Sequence, residues 1–265
     1  MSMKYLNSKN RAILREMVST DFKVRYQGSV LGYFWSLLKP LFLFAILYVV
    51  FTYIIPLGKD VEHYPVYLLL GIVLWNFFTE ATMQGASSVV ARGDLIRKIS
   101  IPRYLVVIAS SLSAMINLGL SLIVVFIFAL LNGIVPSITW LLIIPIILEL
   151  YVFALGASFL LAALYVRFRD ITYVWEIVLQ AGFYASAIIF PLTLVPGELQ
   201  KWFFLNPIVQ IVQDARHAIA TDTTVTNWTL NTGLMGIAPV VIVCFVFVIG
   251  YVYFKRRSRY FAEDI

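Results

Sequence analysis

Six long runs of apolar residues constrain this chain more than any other feature of its sequence. They cover residues 34–56, 66–90, 104–131, 138–166, 171–190 and 232–254. A helix needs about 20 mainly apolar residues to cross the hydrocarbon core of a bilayer. The runs lack the alternation of barrel strands, and only helices satisfy the backbone polar groups of such a run in lipid. The sequence therefore predicts an all-α polytopic membrane protein with six transmembrane helices.

Composition and the absence of internal repeats indicate a single domain built from these runs. Hydrophobic residues make up 61% of the chain and charged residues 13%, whereas soluble domains have about 45–50% apolar and 25% charged residues. The sequence contains no repeat with a period of about 20–50 residues. We therefore expect a cytoplasmic N-terminus (1–33), a transmembrane domain (34–254) and a cytoplasmic tail (255–265).

The distribution of Lys and Arg predicts the orientation in the membrane. With the N-terminus inside, all but three of the 20 cationic residues lie on the cytoplasmic side, the exceptions being Lys59, Lys201 and Arg216. Cytoplasmic loops carry the excess of Lys and Arg in membrane proteins. Both termini are therefore expected in the cytoplasm, and the net charge of +6 reflects this bias and not binding to nucleic acid.

The segment before the first apolar run is amphipathic and too polar to span. Within residues 8–27, an apolar stripe at helical spacing consists of Ile13, Leu14, Met17, Val18 and Phe22. Two interpretations stay open, a surface anchor attracted to anionic membrane lipid and an interface helix that docks a cytoplasmic partner. Gly28 and Gly32 separate this segment from the first span and are expected to allow the turn into the membrane.

Two further segments contain residues that typically begin or end a helix, and both are predicted to form short helices. The basic loop 92–103, RGDLIRKISIPR, allows a brief helix from Asp94 that is either an interfacial loop or a docking element. Residues 191–231 contain Pro191, Pro196-Gly197 and Asn206-Pro207, where proline ends a helix. We expect re-entrant or interfacial helices in this region, before the last span.

The sequence offers no catalytic machinery. It contains no G-x-x-x-x-G-K-[ST] nucleotide-binding loop, no His and Cys cluster at metal-ligand spacing and no G-x-S-x-G nucleophile motif. We therefore expect no enzymatic activity, no catalytic residue, no metal and no cofactor in this chain. Glu149, near the middle of the fourth span, is the acidic residue most suited to face a polar interior.

Aromatic residues recur at helical spacing in the first and fifth spans and in the segment that follows. These residues are Phe44, Tyr48, Phe51, Phe183, Tyr184 and Phe190. Aromatic faces stack on the C–H faces of sugar rings without demanding one fixed register, so such a lining suits a long glycan. Ordinary helix packing explains the same spacing equally simply, and both interpretations stay open.

Four segments carry a resemblance to a known family. They are DFKVRYQGSVLGYFWSLLKP at 21–40, LIRKISIPR at 95–103, Phe168-Arg169-Asp170, and Asn206-Pro207. Through them the chain resembles the membrane (permease) subunit of polysaccharide-exporting ABC transporters of the type-2 class, which handle O-antigen, teichoic acid and related glycans. The resemblance covers nearly the whole chain.

The resemblance implies a half-transporter in the bacterial cytoplasmic membrane. Such a chain forms a homodimer with two copies of a separate ATPase, which binds ATP and Mg, and exports an undecaprenyl-linked glycan between spans one and five of the two copies. The implied ATPase-coupling residues are Arg15, Asp21, Lys23, Arg25, Asp94, Leu95, Ile96, Arg97 and Lys98. The alternatives are a small-molecule or drug exporter of the same architecture and a membrane-embedded glycan-modifying enzyme.

Overall fold

The computed structural model describes residues 8–26, 32, 34–55, 58, 61–98, 101–231 and 233–261, and within them every regular element is helical. The α-helices are α1 (Ser8–Tyr26), α2 (Phe34–Val49), α3 (Tyr64–Ala91), α4 (Gly93–Lys98), α5 (Arg103–Leu131), α6 (Ile143–Arg167), α7 (Ile171–Ala185), α8 (Gly197–Phe203), α9 (Pro207–Ile219), α10 (Asn227–Leu230) and α11 (Leu234–Arg257). Shorter turns are π-helical at Val50–Ile54 and 3₁₀ at Ile138–Leu142 and Leu192–Leu194.

Five helical segments among the described residues are long and apolar enough to cross a membrane. They are Phe34–Ile54, Tyr64–Ala91, Arg103–Leu131, Ile138–Arg167 and Leu234–Arg257. The predicted class, an all-α polytopic membrane protein, is confirmed. The first, second, third, fourth and sixth apolar runs of the sequence each correspond to one of these segments.

The fifth run is shorter as a helix than the predicted span 171–190. α7 ends at Ala185 after 15 residues, which at 1.5 Å per residue is about 22 Å, less than the hydrocarbon core of about 30 Å. The chain leaves the helix because Ala187 adopts φ of 49°, in the left-handed region that an α-helix does not contain. The apolar run continues to residue 190 although the helix does not, since Ala187 and Ile188 are buried outside regular structure.

α3 is the central helix of the bundle. It packs against α2, α5, α6, α7 and α9, and it is buried along most of its length. Large apolar side chains, among them Leu68, Ile72 and Phe77, fill the core around it. A helix that is apolar on all sides is expected at such a position.

α6 and α11 approach each other through glycine. A methyl group added to Gly156 would meet the backbone of Phe247, and one added to Gly250 would meet the carbonyl oxygen of Gly156. Small residues allow helix backbones in membranes to come this close. At the far end of α11, Phe261 folds back and packs edge-on against Phe254, with ring centroids 5.4 Å apart.

α1 lies across one end of the bundle. Met17 is buried against Val106 and Ala109 of α5, and the predicted stripe supplies the other contacts of this face, namely Ile13, Leu14 and Val18. The predicted stripe residue Phe22 and the predicted hinge residue Gly28 lie outside the described side chains. Gly32 adopts φ of 47°, which favours glycine at the junction between α1 and α2.

Candidate functional site

One face of α7 is exposed along its whole length. Tyr173, Ile177, Gln180 and Tyr184 are separated by four, three and four residues, so they share one side of the helix. Tyr173 is 71% exposed, Ile177 67% and Tyr184 61%, and Gln180 between them is also exposed. The α7 face therefore combines an apolar side chain with two phenols and an amide.

The predicted aromatic residues of α7 point in two directions. Phe183 is partly buried and packs edge-on against Trp75 of α3, with centroids 6.1 Å apart. Tyr184 lies on the α7 face, with its ring 5.5 Å from that of Phe183. Phe190 belongs to neither group, because it packs against a separate cluster that includes Leu192 and Phe204.

Two of the predicted aromatic residues, Phe44 and Tyr48 of α2, belong to a chain of ring contacts. Phe44 stacks on Tyr48 at 5.7 Å and meets Phe128 of α5 edge-on at 5.5 Å. Tyr48 in turn meets Tyr53 at 6.3 Å, and Tyr53 is largely exposed. Phe51 is partly buried against the main core. Tyr53, which the sequence analysis did not select, is the exposed end of this chain of rings.

The two predicted coupling segments are joined at the α1 end of the bundle. Asp21 of α1 forms an ion pair with Arg92, which follows the last residue of α3 and precedes α4. Both side chains are only partly exposed. Leu95 of α4 packs in the same cluster as Met17 of α1. α1, α4 and the adjoining ends of α3 and α5 thus form one packed unit, which we call the α1–α4 unit.

Some of the predicted coupling residues are exposed on the α1–α4 unit, and others lie outside the described side chains. Arg15, Lys23 and Asp94 are exposed. The side chains of Arg25, Ile96, Arg97 and Lys98 are among those not described. The role of all of these residues stays a prediction.

Arg216 of α9 is fully buried, with 0% of its surface exposed. Its guanidinium donates from Nε to the Tyr67 carbonyl at 3.0 Å and from Nη1 to the Ala187 carbonyl at 2.8 Å. Nη2 donates to the Ile188 carbonyl at 2.6 Å. The guanidinium carbon also lies 3.5 Å from the centroid of the Tyr67 ring, a cation–π contact.

Arg216 therefore acts as a clamp on the chain just beyond α7. Tyr64 extends it, since its hydroxyl donates to the Ile189 carbonyl at 2.9 Å. Three successive carbonyls that are no longer in a helix thus receive side-chain donors, as buried backbone groups require. Gly71 leaves the room that the guanidinium occupies, because a methyl group there would lie 2.6 Å from Nη2. We call this group of contacts the Arg216 clamp.

The Arg216 clamp is not predicted from the sequence, where Arg216 is one of three cationic residues on the outer side. One signal was available. Gln210, Gln213, Asp214 and His217 recur at helical spacing in α9, which marks a polar stripe on a helix that is otherwise apolar. Arg216 lies beside that stripe, but the stripe alone does not reveal which carbonyls it meets.

The arrangement of long apolar helices around α3, with a short broken helix at one side, defines the chain as a multi-pass membrane protein. The sequence profile of the ABC-2 type transporter family matches residues 14–219. The chain belongs to this family and is a transport subunit of the membrane, and membership implies an ABC ATPase partner.

Individual relatives match over most of their length. The O-antigen export system permease protein RfbA of Klebsiella pneumoniae is 26% identical over 264 residues, which cover 99% of this chain and 98% of that protein. RfbA of Myxococcus xanthus is 27% identical over 206 residues, or 76% of this chain and 78% of that protein. The polysialic acid transport protein KpsM of Escherichia coli is 23% identical over 207 residues, or 75% and 78%.

Proposed function

We propose that this chain is the transmembrane subunit of an ATP-driven exporter that moves a lipid-linked cell-surface polysaccharide across the bacterial cytoplasmic membrane. The support from relatives is the nearly end-to-end match to a protein named as an O-antigen export permease. The named relatives concern O-antigen and polysialic acid, so the proposal covers the chemical class, a polymer of sugars on an undecaprenyl carrier, and not one glycan.

The exposed α7 face is the observation that carries this proposal. Gln180 is exposed midway along a helix of the transmembrane domain, between Tyr173 and Tyr184. Polar side chains at membrane depth face a protein interior or a water-filled cavity. Phenol and amide groups bond to sugar hydroxyls, and the phenol rings also stack on sugar C–H faces. A path lined in this way holds successive sugars loosely, so a polymer can slide.

A second copy of the chain would complete the path. α2 and α7 each contain a single buried residue among those described, and each exposes several large apolar side chains, such as Phe42 and Ile46 on α2 and Ile177 on α7. Exposed apolar surface of this extent marks an interaction site with protein or lipid. In the proposed homodimer, α2 of one copy faces α7 of the other, and the α7 face lines the space between them.

ATP is bound with Mg by two partner ATPase subunits in this proposal and not by this chain. The partners dock on the α1–α4 unit, where Arg15, Lys23 and Asp94 are exposed. Both termini are then cytoplasmic. Because Asp21 and Arg92 join α1 to the end of α3, a displacement of the docking surface is transmitted directly to the central helix of the bundle.

Depletion of the protein in its own bacterium tests the proposed function. Loss of export should leave lipid-linked polymer in the cytoplasmic leaflet and remove it from the surface, and both are measured by extracting the lipid-linked glycan and labelling surface glycan on intact cells. Normal surface glycan with no accumulated polymer would eliminate polysaccharide export and favour a small-molecule cargo.

Complementation of the depleted strain tests the α7 face. Tyr184→Ala and Gln180→Leu should lower surface glycan several-fold at unchanged protein level, because each removes a group that contacts the sugar, and the basal ATPase activity of the purified complex should not change. Tyr260→Ala is the matched control, since Tyr260 is an exposed tyrosine beyond α11. Wild-type glycan levels with both α7 variants would place the path elsewhere.

A further inference from the structure

Two carboxylates meet between α6 and α9, and they share a single donor group. Gln210 Nε2 donates to Asp214 Oδ2 at 2.7 Å and to Glu149 Oε2 at 3.3 Å. The distance between Glu149 Oε2 and Asp214 Oδ2 therefore cannot exceed the sum of these two hydrogen-bond lengths. An amide group has two N–H hydrogens, so both donors of Gln210 are in use.

The same three side chains retain acceptors that nothing satisfies. Glu149 Oε1, Asp214 Oδ1 and Gln210 Oε1 are all buried and have no hydrogen-bond partner among the residues that the structure describes. Gln210 itself is 4% exposed, and its amide nitrogen contacts both carboxylates. An unsatisfied buried acceptor is unfavourable, so the free oxygen of each carboxylate favours a donor or a positive species beside it.

The charges of the two carboxylates also favour a positively charged occupant. Neither carboxylate forms an ion pair within the described part of the chain. Two partly buried carboxylates that share one donor do not both ionise readily, because each charge disfavours the other and partial removal from water disfavours both. Among the described residues, no group of three or more His, Cys, Asp and Glu side chains could hold a metal ion. The smallest positive species, a proton, fits what is present.

The other ionisable groups around α9 are few. His217 lies one turn from Asp214 and interacts with it electrostatically. Arg216 directs its donors to backbone carbonyls, and Tyr67 of α3 bonds to Gln213 at 3.3 Å. α10 and the 3₁₀ turn Ile138–Leu142 contain no ionisable residue. α11 has only the exposed Cys244 before Tyr251.

We propose that Glu149 and Asp214 hold one proton between them at neutral pH, so that the contact of α6 with α9 is a proton-binding site. With the proton present, the site carries a single negative charge. Without it, two like charges repel across the α6–α9 contact. Since α9 also carries Arg216, the occupancy of this site affects the helix that clamps the end of α7.

The sign of the pH dependence follows from Asp214, which lies outside the long spans. Burial raises the pKa of Asp214, so the folded chain binds the proton more tightly than the unfolded chain. The resulting stability is fully present below the ordinary aspartate pKa of about 3.9, and it is lost progressively as the pH rises from there through the raised value.

Infrared difference spectroscopy of the purified full-length protein tests the proposal directly. At neutral pH the wild type should show the carbonyl stretch of a protonated carboxyl group, which shifts in heavy water. The band should disappear in Glu149→Gln and in Asp214→Asn. It should persist in Glu176→Gln, because Glu176 is exposed on α7. A wild-type spectrum without this band would overturn the proposal, and so would a band that survives in both single variants.

Thermal unfolding provides a second test that does not need the single variants to fold well. The melting temperature of the wild type should fall as the pH rises above about 4, while the neutral double variant Glu149→Gln/Asp214→Asn should change much less. If His217→Gln alone abolishes the pH dependence, the proton resides on His217 and the proposal is wrong. If sodium chloride, but not choline chloride, stabilises a wild type that shows no carboxyl band, the occupant is a metal ion and the proposal is likewise wrong.

Discussion

Arg216 stabilises an interrupted helix end from inside the protein. A salt bridge would leave the carbonyls of Ala187 and Ile188 without donors, whereas the planar guanidinium reaches both at once and stacks on Tyr67 as well. Arginine is suited to this role because its donors form a fixed fork and its charge is delocalised and weakly hydrated. The left-handed conformation of Ala187 is thus held by hydrogen bonds to its own carbonyl and to the next one.

Replacing Arg216 should destabilise the fold strongly. Arg216→Ala leaves buried carbonyls without donors at about 1–3 kcal/mol each, so we expect a loss of about 3 kcal/mol or more. Arg216→Lys keeps one charged donor and should be intermediate. The measurement is the melting temperature of the purified protein. Lys201→Ala is the control, because Lys201 forms only a surface ion pair with Glu198 at 3.2 Å, worth about 1 kcal/mol or less. Equal stability of the Arg216 and Lys201 variants would contradict the clamp.

The Arg216 clamp and the Glu149 site depend on contacts that cannot be predicted from this sequence. Glu149 was selected because a carboxylate is rare at mid-span, and that reasoning uses only local sequence. Its partner Gln210 is 61 residues away, and Arg216 meets Tyr67 at a separation of 149 residues. Nothing local indicates such pairs, since they arise only after α9 has packed against α3 and α6.

At the scale of elements, the closest packing in the bundle depends on missing side chains. Gly156 and Gly250 bring α6 and α11 into backbone contact, and Gly85 of α3 makes similar room for Ser158 of α6. Ser158 uses this proximity to donate to the Ala81 carbonyl at 3.1 Å. The contacts tie α11, α6 and α3 into one stack, around which the less buried α2 and α7 are arranged.

A single methyl group should distinguish this contact from an unconstrained helix position. Gly250→Ala places a methyl group against the Gly156 carbonyl, and overpacking of this kind costs about 1–3 kcal/mol. Gly119→Ala in α5 is the matched control, because no atom of the described residues lies within 4 Å of the added methyl group apart from its own helix. That change should stabilise the protein by about 0.4–1 kcal/mol. The two melting temperatures should move in opposite directions, and a shared direction would refute the close packing.

Most helix positions can be predicted from the sequence, because each of the five long membrane-spanning segments coincides with one hydrophobic run. The third run, 104–131, differs from α5 by one residue. The predicted end of the fifth helix is wrong because hydrophobicity indicates burial and not helical structure. Residues beyond Ala185 are buried without being helical. The stripe of α1 was visible at helical spacing, although its partner Val106 was not.

At the scale of the whole molecule, the chain has a packed unit at one end and a clamped, broken helix within the bundle. The α1–α4 unit is held by apolar contacts around Met17 and by one ion pair between Asp21 and Arg92. α3 runs from Tyr64, in the clamp, to the residue just before Arg92. One helix therefore connects the predicted ATPase surface to the end of α7.

Charge exchange across Asp21 and Arg92 tests this connection. Asp21→Arg or Arg92→Asp alone places like charges together, and should lower surface glycan at an unchanged level of protein. Both side chains are only partly exposed, so the melting temperature of each variant is measured as well and surface glycan is compared at matched protein level. The double exchange should restore export, measured with the complemented strain. Arg11→Asp, an exposed position of α1, should have no such effect. If the double exchange does not restore export, the ion pair between Asp21 and Arg92 does not account for coupling.

The π-helical turn Val50–Ile54 has a consequence for how relatives of different length are compared. Such a turn holds one more residue than an α-helical turn, so deleting one residue there would leave an ordinary helix while Phe34–Val49 keeps its place beside α3. Insertions and deletions of a single residue are therefore expected to be tolerated at this point of the first span. A gap of one position at Val50–Ile54 in an alignment then means that the π-helical turn is replaced by an α-helical turn within the same fold.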